Sequence, residues 1–512
     1  MNPRRPQLLG SGSYTAGAIN HYRKTSGLPA MGSNSDWHFR NQSEFLRMME
    51  LARSFDRNDP IIGPALNRVV DNVLQNGFHP DPQTGDAQVD ELLKERWRAW
   101  AGNPVLCDRA RRLNFHGIER LVLRSVLVDG DILQLPLQTG ELQAVEAHRL
   151  RTPNYNKRDL VHGVLLNKMT GGPEEYWITR EDVGIHTVLK NDDMVQIPAF
   201  RDNQPAAFHV YFPRRFSQSR GVTSMAAVVD YVGMNDDANF ATMVARKIQS
   251  CFAILEELPP GTEVVDAGAH GSEGTTTLAD GSVTTIDDIM PGMRQISQSG
   301  GKIQGFSPNV PSQNFMEHSL FILQVISINH DIPLQVLLLD PSKTNFSGWR
   351  GALDEARKAF RRIQQDLIAR FHGHVWRWKV AQWLDDESLL QAAAGKMDIY
   401  KHRWNPPAWR YIEPNKDAEA EKDIIANHLN SPRRVFNDRG LDYDEVMQEW
   451  VQDRTRLITS SLDAAREINQ QYPEAEVDWR EVANLAPAKT AGGSEGKAKE
   501  KETEVEHGVA AD

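Results

Sequence analysis

Apolar residues recur at helical spacing through the first quarter of the chain. Phe45, Leu46, Met49, Ala52 and Phe55 follow Ser43, so a helix capped by that serine is expected to run to Phe55. Asp59-Pro60 opens the next one. The aspartate is an N-cap, and proline suits the first helical position, where a missing N–H is harmless. Ile61, Ile62, Ala65, Leu66, Val69, Val70, Val73 and Leu74 give this helix a broad stripe, and Gly77 stops it where a left-handed residue is usual. Pro64, one turn on, argues for a slightly later start. Two more helices are expected over 87–101 (Val89, Leu92, Leu93, Trp97, Trp100) and 115–128 (Phe115, Ile118, Leu121, Val122, Val126).

The period changes after the turn Asp129-Gly130-Asp131. Short apolar runs begin at Ile132, Leu142, Val161, Tyr176 and Phe208, separated by Gly, Pro, Asn and Asp, and predict a β-rich section over 131–213. A helix follows over 222–249. Residues 256–314 are rich in Gly, Thr and Ser and too long for a plain loop, so they read as an insertion with small strands or a mobile flap. A helix over 315–328 leads to the apolar run Ile332–Leu339. Then comes a polar loop over 340–349, and behind it an amphipathic helix of about 35 residues, about 50 Å at roughly 1.5 Å per residue. The aromatic segment 397–414 reads as extended. Helices are expected over 416–429, from Ser431-Pro432 to Gly440, and from Asp442 through Val451 with a frayed continuation to about 470.

The expected fold class is α+β, with nine regions. They are a basic mobile arm (1–42), a helical region (43–130), a β-rich region (131–221), a helix (222–255), an insertion and helix (256–339), the polar loop (340–349), the long helix with the extended segment (350–415), C-terminal helices (416–486) and a low-complexity tail (487–512).

Composition narrows the function classes. A 512-residue chain with 40% hydrophobic and 25% charged residues is an ordinary soluble protein with more than one core. Its net charge of −11 argues against coating nucleic acid through overall charge, so any such contact is local. Cys107 and Cys251 make no disulfide framework and suit a reducing compartment as small core residues. No signal-peptide core begins the sequence, and no apolar run reaches the ~18 residues of a membrane span.

Enzyme motifs are mostly missing. There is no Gly-rich phosphate loop, no His-Glu-x-x-His and no cysteine pair with metal spacing, so neither a catalytic residue, a metal nor a cofactor is expected. Gly492-Gly493-Ser494-Glu495-Gly496 matches the nucleophile-elbow pattern but lacks the flanking strand and helix. Asp287-Asp288 reads as a solvated pair. His372 and His374 point to different sides of one helix and read as interface or surface residues.

Two basic features remain. Arg214-Arg215-Phe216-Ser217-Gln218-Ser219-Arg220-Gly221 holds no acid, and suits phosphate, an acidic neighbour or plain solvent. Between Arg350 and Lys379 the bases Arg350, Arg357, Lys358, Arg361, Arg362, Arg370, Arg377 and Lys379 face the acids Asp354, Glu355 and Asp366, so 8 − 3 leaves +5. A solvated face is the usual explanation for such a pattern; packing on an acidic neighbouring subunit and facing a phosphate backbone are the alternatives.

Four segments in one order carry a family resemblance: Arg57-Asn58-Asp59-Pro60 with Asp71-Asn72 and Gly77; Phe212 to Val222 around Gln218-Ser219-Arg220-Gly221; Asp331-Ile332-Pro333 with Asp340-Pro341-Ser342 and Asn345 to Arg350; and Trp404-Asn405-Pro406 with Trp409 and Ile412-Glu413-Pro414. Together they span about 45–450 and resemble the lambda-type portal proteins of tailed bacteriophages. Asp59 stands where that pattern has Asn, Phe346 where Tyr is usual, and Gly348 where Ser is common. The resemblance implies a non-enzymatic, homo-oligomeric ring, typically a dodecamer, at one capsid vertex of the virion. It would be assembled in the bacterial host cytoplasm and have no membrane association. Double-stranded DNA would pass through it without sequence-specific contact. Terminase large subunit, major capsid or scaffold protein and a head–tail adaptor would be its partners. It also implies a stem helix over 222–255, clip or wing strands in the β-rich region, a wing helix after the loop and a crown over 416–486. Lys343, Thr344, Asn345, Phe346 and Ser347 would form a tunnel loop facing DNA. Arg214, Arg215, Arg220, Arg350, Arg357, Lys358, Arg361 and Arg362 are candidates for phosphate or subunit contacts. Alternative readings are another virion structural protein, such as a head–tail connector or minor head protein, and a DNA-processing enzyme; the lack of a clustered acidic metal site speaks against the latter.

Overall fold

Helix α1 (Gln42–Asn58) buries Leu46, Met49 and Ala52. Asp59 then accepts hydrogen bonds from the backbone of Ile61 and Ile62, both at 2.8 Å. The aspartate thus caps as expected, but Asp59 to Ile61 form a capping turn, and α2 (Ile62–Leu74) starts behind Pro60. Pro64 falls in the first turn of α2, where its missing N–H leaves nothing unpaired. The described residues of this computed structural model are 42–154, 160–202, 204–257, 273–277, 283–287, 293–297, 313–340, 342, 344–409, 414–439, 441–474 and 476–484. The expected N-terminal arm and low-complexity tail lie outside them.

After β1 (His79–Pro82) come α3 (Ala87–Gly102), the single turn α4 (Pro104–Cys107) and α5 (Phe115–Val128). Side chains of Asp86, Asn103 and Asn114 cap the three helices. The β-rich section holds β2 (Asp131–Pro136), β3 (Leu142–Glu146), β4 (Leu160–Val161), β5 (Val164–Leu166), β6 (Pro173–Thr179), β7 (Met194–Pro198), β8 (Phe200–Arg201), β9 (Gln204–Pro205) and β10 (Phe208–Tyr211). One antiparallel sheet has the order β10-β2-β3 and a second β4-β5-β6-β7. Leu133, Val145, Leu150, Val164, Tyr176 and Ile178 form their shared core. The run from Val161 to Leu166 reads as one strand but folds as a hairpin, turned by His162 (φ +47°) and Gly163 (φ +85°).

Helix α6 (Val229–Cys251) starts later than the expected 222, because 222–228 is a turn packed under α5. Small strands do follow: β11 (Phe252–Glu257), β12 (Glu273–Thr277), β13 (Val283–Asp287) and β14 (Met293–Ser297). β11 pairs with β14 in parallel and β12 with β13 antiparallel. Asp288 lies outside the described residues. Next are α7 (Gln313–Asn329), which packs on α6, and the short α8 (Leu334–Leu338).

The long helix is α9 (Phe346–Leu367), a π turn over Ile368–His372, and α10 (Gly373–Asp386), continuous in direction. Helix α11 (Ser388–Ala394) and β15 (His402–Asn405) follow, and β15 pairs antiparallel with β1, Pro80 opposite Trp404. The main core joins α2, α3, α5 and the long helix through stacked and edge-on rings of Trp97, Trp100, Phe115, Phe371, Trp376 and Trp404. Helix α12 is Pro414–Ala426. A second compact unit comprises 421–512; its described residues carry α13 (Pro432–Asp438), capped by Ser431, α14 (Tyr443–Gln471), capped by Asp442, and α15 (Trp479–Val482). The fold is thus mixed helix and sheet, as the α+β pattern implied.

Candidate functional site

The polar loop is shorter than its composition suggested. Asn345 Oδ1 accepts from the Gly348 N–H at 2.7 Å and caps α9. Phe346 and Ser347 therefore belong to the first helical turn, not to the loop, because the cap fixes where the helix begins. Thr344 Oγ1 accepts from Gln335 Nε2 of α8 at 2.7 Å, and Asp340 Oδ1 accepts from Ser342 N at 3.0 Å. Leu339 holds a left-handed φ of +55°. The base of the loop is thus tied to α8, and its exit is tied to α9. The apolar side chains that flank it are exposed, Leu339 by 71% and Phe346 by 54%. Lys343 lies outside the described residues.

The candidate cations divide. Arg220 does not reach the surface; it is fully buried. Its Nε and Nη2 donate to the Asp131 carboxylate at 2.5 and 3.0 Å, and Nη1 and Nη2 donate to the carbonyls of Leu150, His162 and Ala147 at 3.0, 2.5 and 2.9 Å. This corrects its assignment to phosphate or a neighbouring subunit. The loop around Arg220 lacks an acid in sequence, but Asp131 reaches it from the start of β2. Burial alone would raise the Asp131 carboxyl, yet the Arg220 charge and a hydrogen bond from His209 hold it well below the usual range. Arg214 and Arg215 remain exposed, beside a fully exposed Phe216.

The long helix spends much of its charge on its own chain. Arg357 pairs with Asp354 at 3.5 Å, Lys358 with Glu355 at 2.6 Å and Arg362 with Asp331 at 2.8 Å. Arg357 and Arg361 also lie over the Trp409 ring, 5.9 and 5.8 Å from its centroid. Arg350 is half-buried in the first turn and a half. Lys379 is buried, 5.0 Å from the rings of Trp100 and Trp378, and donates to Gln382 at 2.8 Å. The +5 surplus is therefore not one open face.

The histidines also turn inward. His372 is fully buried, with Nε2 2.6 Å from Glu119 Oε1 and its ring stacked on Phe78. His116 Nδ1 meets the other Glu119 oxygen at 3.2 Å. Burial would raise Glu119, but the two histidines beside it keep it below the usual carboxylate range; the bond to Glu119 raises His116 in turn. His374 is half-buried, stacked on Phe208. The π turn produces this arrangement: its extra residue shifts the buried stripe so that Trp376, Val380 and Trp383 face the core behind Phe371. Nothing in the sequence marks a π turn.

The four segments that carried the resemblance share one property: each fixes a junction. Asp59 caps α2. Gln218 stitches its loop by accepting from Arg214 N at 2.7 Å and donating to Arg220 O at 2.8 Å. Trp409 Nε1 donates to Asn72 O at 3.0 Å, and the buried Gln364 of α9 donates to both Val73 O and Pro407 O, at 2.9 and 3.0 Å. The early helix, the long helix and the C-terminal aromatic segment therefore meet at one place.

A family model described as phage portal protein, lambda family, matches residues 29–364, well over half of the sequence. The chain belongs to that family. It is a structural, non-enzymatic family. The chain is 22% identical over 397 residues to a protein of Halomonas phage phiHAP-1 named a probable portal protein, with 73% of this chain and 71% of the relative covered. Among solved structures it is similar to a chain of the virion of a native gene transfer agent particle, with a TM-score of 0.40 and 13% identity over 80% of this chain and 96% of the other. A chain in the neck of that particle, computed with C12 symmetry, gives a TM-score of 0.41 at 13% identity over 80% and 95%. Among the described residues, no three His, Cys, Asp or Glu side chains cluster as a metal site, and no helix is long and apolar enough to cross a membrane.

Proposed function

We propose that copies of this chain form a dodecameric portal ring at one capsid vertex, through which double-stranded DNA enters during packaging and leaves on ejection. Family membership carries this reading. Exposed apolar side chains support it: Tyr231, Met234, Phe240, Met243 and Val244 on α6, and Met316, Phe321 and Ile328 on α7, are between 39% and 75% exposed. A soluble monomer rarely leaves so many large apolar groups on one helix pair, whereas neighbouring copies in a ring cover them. In this reading α6 is the stem helix, the β2–β10 section supplies clip or wing strands, the long helix runs through the wing, and the second unit forms the crown. Assembly takes place in the bacterial host cytoplasm. Terminase large subunit docks during packaging and a head–tail adaptor afterwards, with major capsid or scaffold protein around the ring.

Lys343, Thr344, Asn345, Phe346 and Ser347 face the channel and touch phosphate and sugar without reading bases. Many such weak, identical contacts confine a sliding duplex without gripping it, which suits an acidic chain. Arg214, Arg215 and Arg350 stay candidates for phosphate or subunit contacts. Replacing Lys343 to Phe346 with Gly and Ala tests the assignment. Rings should form normally while packaged DNA is lost or never retained; failure of ring assembly with the same variant would make the loop an interface element instead.

A further inference from the structure

A second charged surface involves none of the arginines of the basic loop or the long helix. Between α4 and α5 the chain reads Asp108-Arg109-Ala110-Arg111-Arg112-Leu113. Asp108 is buried and organises the whole turn. Its Oδ1 accepts from Ala110 N at 3.0 Å, and its Oδ2 accepts from Arg112 N and Leu113 N at 2.9 and 3.1 Å. Its carbonyl accepts from Arg111 N at 2.9 Å, and Arg109 N donates to Leu142 O at 2.9 Å. The buried Cys107 Sγ adds a contact to Leu113 O at 3.2 Å. Arg111 is held at a φ of +57°, which a non-glycine residue adopts only when its surroundings impose it. This is a rigid turn, built on a buried acid, that points three arginines outward.

Those arginines have little to do within the chain. Arg109 makes one loose ion pair, 3.7 Å to Glu141, and its side chain is 55% exposed. Arg111 and Arg112 are exposed, and no ion pair to either occurs among the described residues. Immediately before them, Val105 and Leu106 of α4 are 50% and 47% exposed. A chain of net charge −11 thus presents one preorganised spot with three guanidinium groups beside two aliphatic side chains.

We propose that this turn is a docking site for an acidic protein segment that also carries apolar side chains. Guanidinium forks match carboxylates in a bidentate manner, and a fixed backbone lowers the entropy lost on binding. The neighbouring Val105 and Leu106 decide between partners of like charge. A nucleic-acid backbone offers nothing to cover them, while an amphipathic peptide covers them as it pairs with the arginines. This site stands independently of the channel reading, since it needs neither a ring nor DNA.

The test uses the full chain and fluorescence anisotropy with three labelled probes: a repeating Glu-Leu peptide, a repeating Glu-Ser peptide of equal length and charge, and a DNA duplex. The Glu-Leu peptide should bind tightest, and more weakly as salt rises. R111E/R112E should weaken it about tenfold, and V105S/L106S about threefold while leaving duplex binding unchanged. All four residues are exposed, so both variants should melt like the parent. The proposal is overturned if the Glu-Leu and Glu-Ser peptides bind equally, or if neither variant changes peptide binding. It is also overturned if R111E/R112E loses the duplex but keeps the peptide, since the turn would then be a nucleic-acid contact.

Discussion

Arg220 and Asp131 meet where the β-rich section rejoins the helices. Both are fully buried, so neither charge has water to fall back on. Arg220→Leu or Asp131→Asn should destabilise the fold by about 3–5 kcal/mol, read by urea unfolding, because each leaves an uncompensated partner in the interior. Because the folded Asp131 titrates below its ordinary value of 3.8, its contribution is complete above that value and is lost as pH falls through the folded one. Acid should therefore weaken the parent more steeply than Asp131→Asn. His116 has the opposite sign. Its bond to Glu119 lifts it above 6.5, so its contribution is present below that value and fades as pH rises. His116→Gln should flatten the stability profile above neutrality. Beside the ion pair, Gly130 (φ +103°) presses against Gly221: a Cβ on Gly130 would lie 2.6 Å from the Gly221 carbonyl carbon. Gly130→Ala should therefore destabilise by more than about 1 kcal/mol in the same unfolding measurement.

At the scale of elements, a cap or an apolar stripe was enough to make a helix legible. Asp59 marks its helix by cap and stripe together, the stripes alone mark the helices that Asp86 and Asn114 cap, and the cap alone marks the one after Asp442; all four helices form. What stayed hidden depends on residues far apart in sequence or on small backbone irregularities. β1 is His-Pro-Asp-Pro, which no strand pattern favours; it forms because β15 lies along it. β7 alternates weakly and is fixed by β6. The π turn is invisible because one inserted residue leaves composition untouched. The candidate site was legible as a loop but not as a boundary. By pattern Asn345 belongs to the loop; in the fold it is the cap of α9. Asn345→Ala should lower stability by about 1 kcal/mol in thermal melts, whereas Phe346→Ala, at an exposed position, should leave the melt unchanged.

For the whole molecule, the sequence pattern reached the family through four segments, and the structure gives those segments a physical meaning. They are junction pieces that set how helices and sheets meet. A channel-forming subunit needs such fixed joints, since each copy must present the same surface to the next. The groups proposed for conduction and assembly are diffuse by comparison: a loop, scattered cations and uncovered apolar helix faces. Ring assembly is therefore the decisive property, read by electron microscopy of the purified chain. It requires closed rings with a central channel wide enough for duplex DNA, about 20 Å or more, and α6 side by side around it. A chain that stays monomeric at high concentration, or closes into rings too narrow for a duplex, would contradict it.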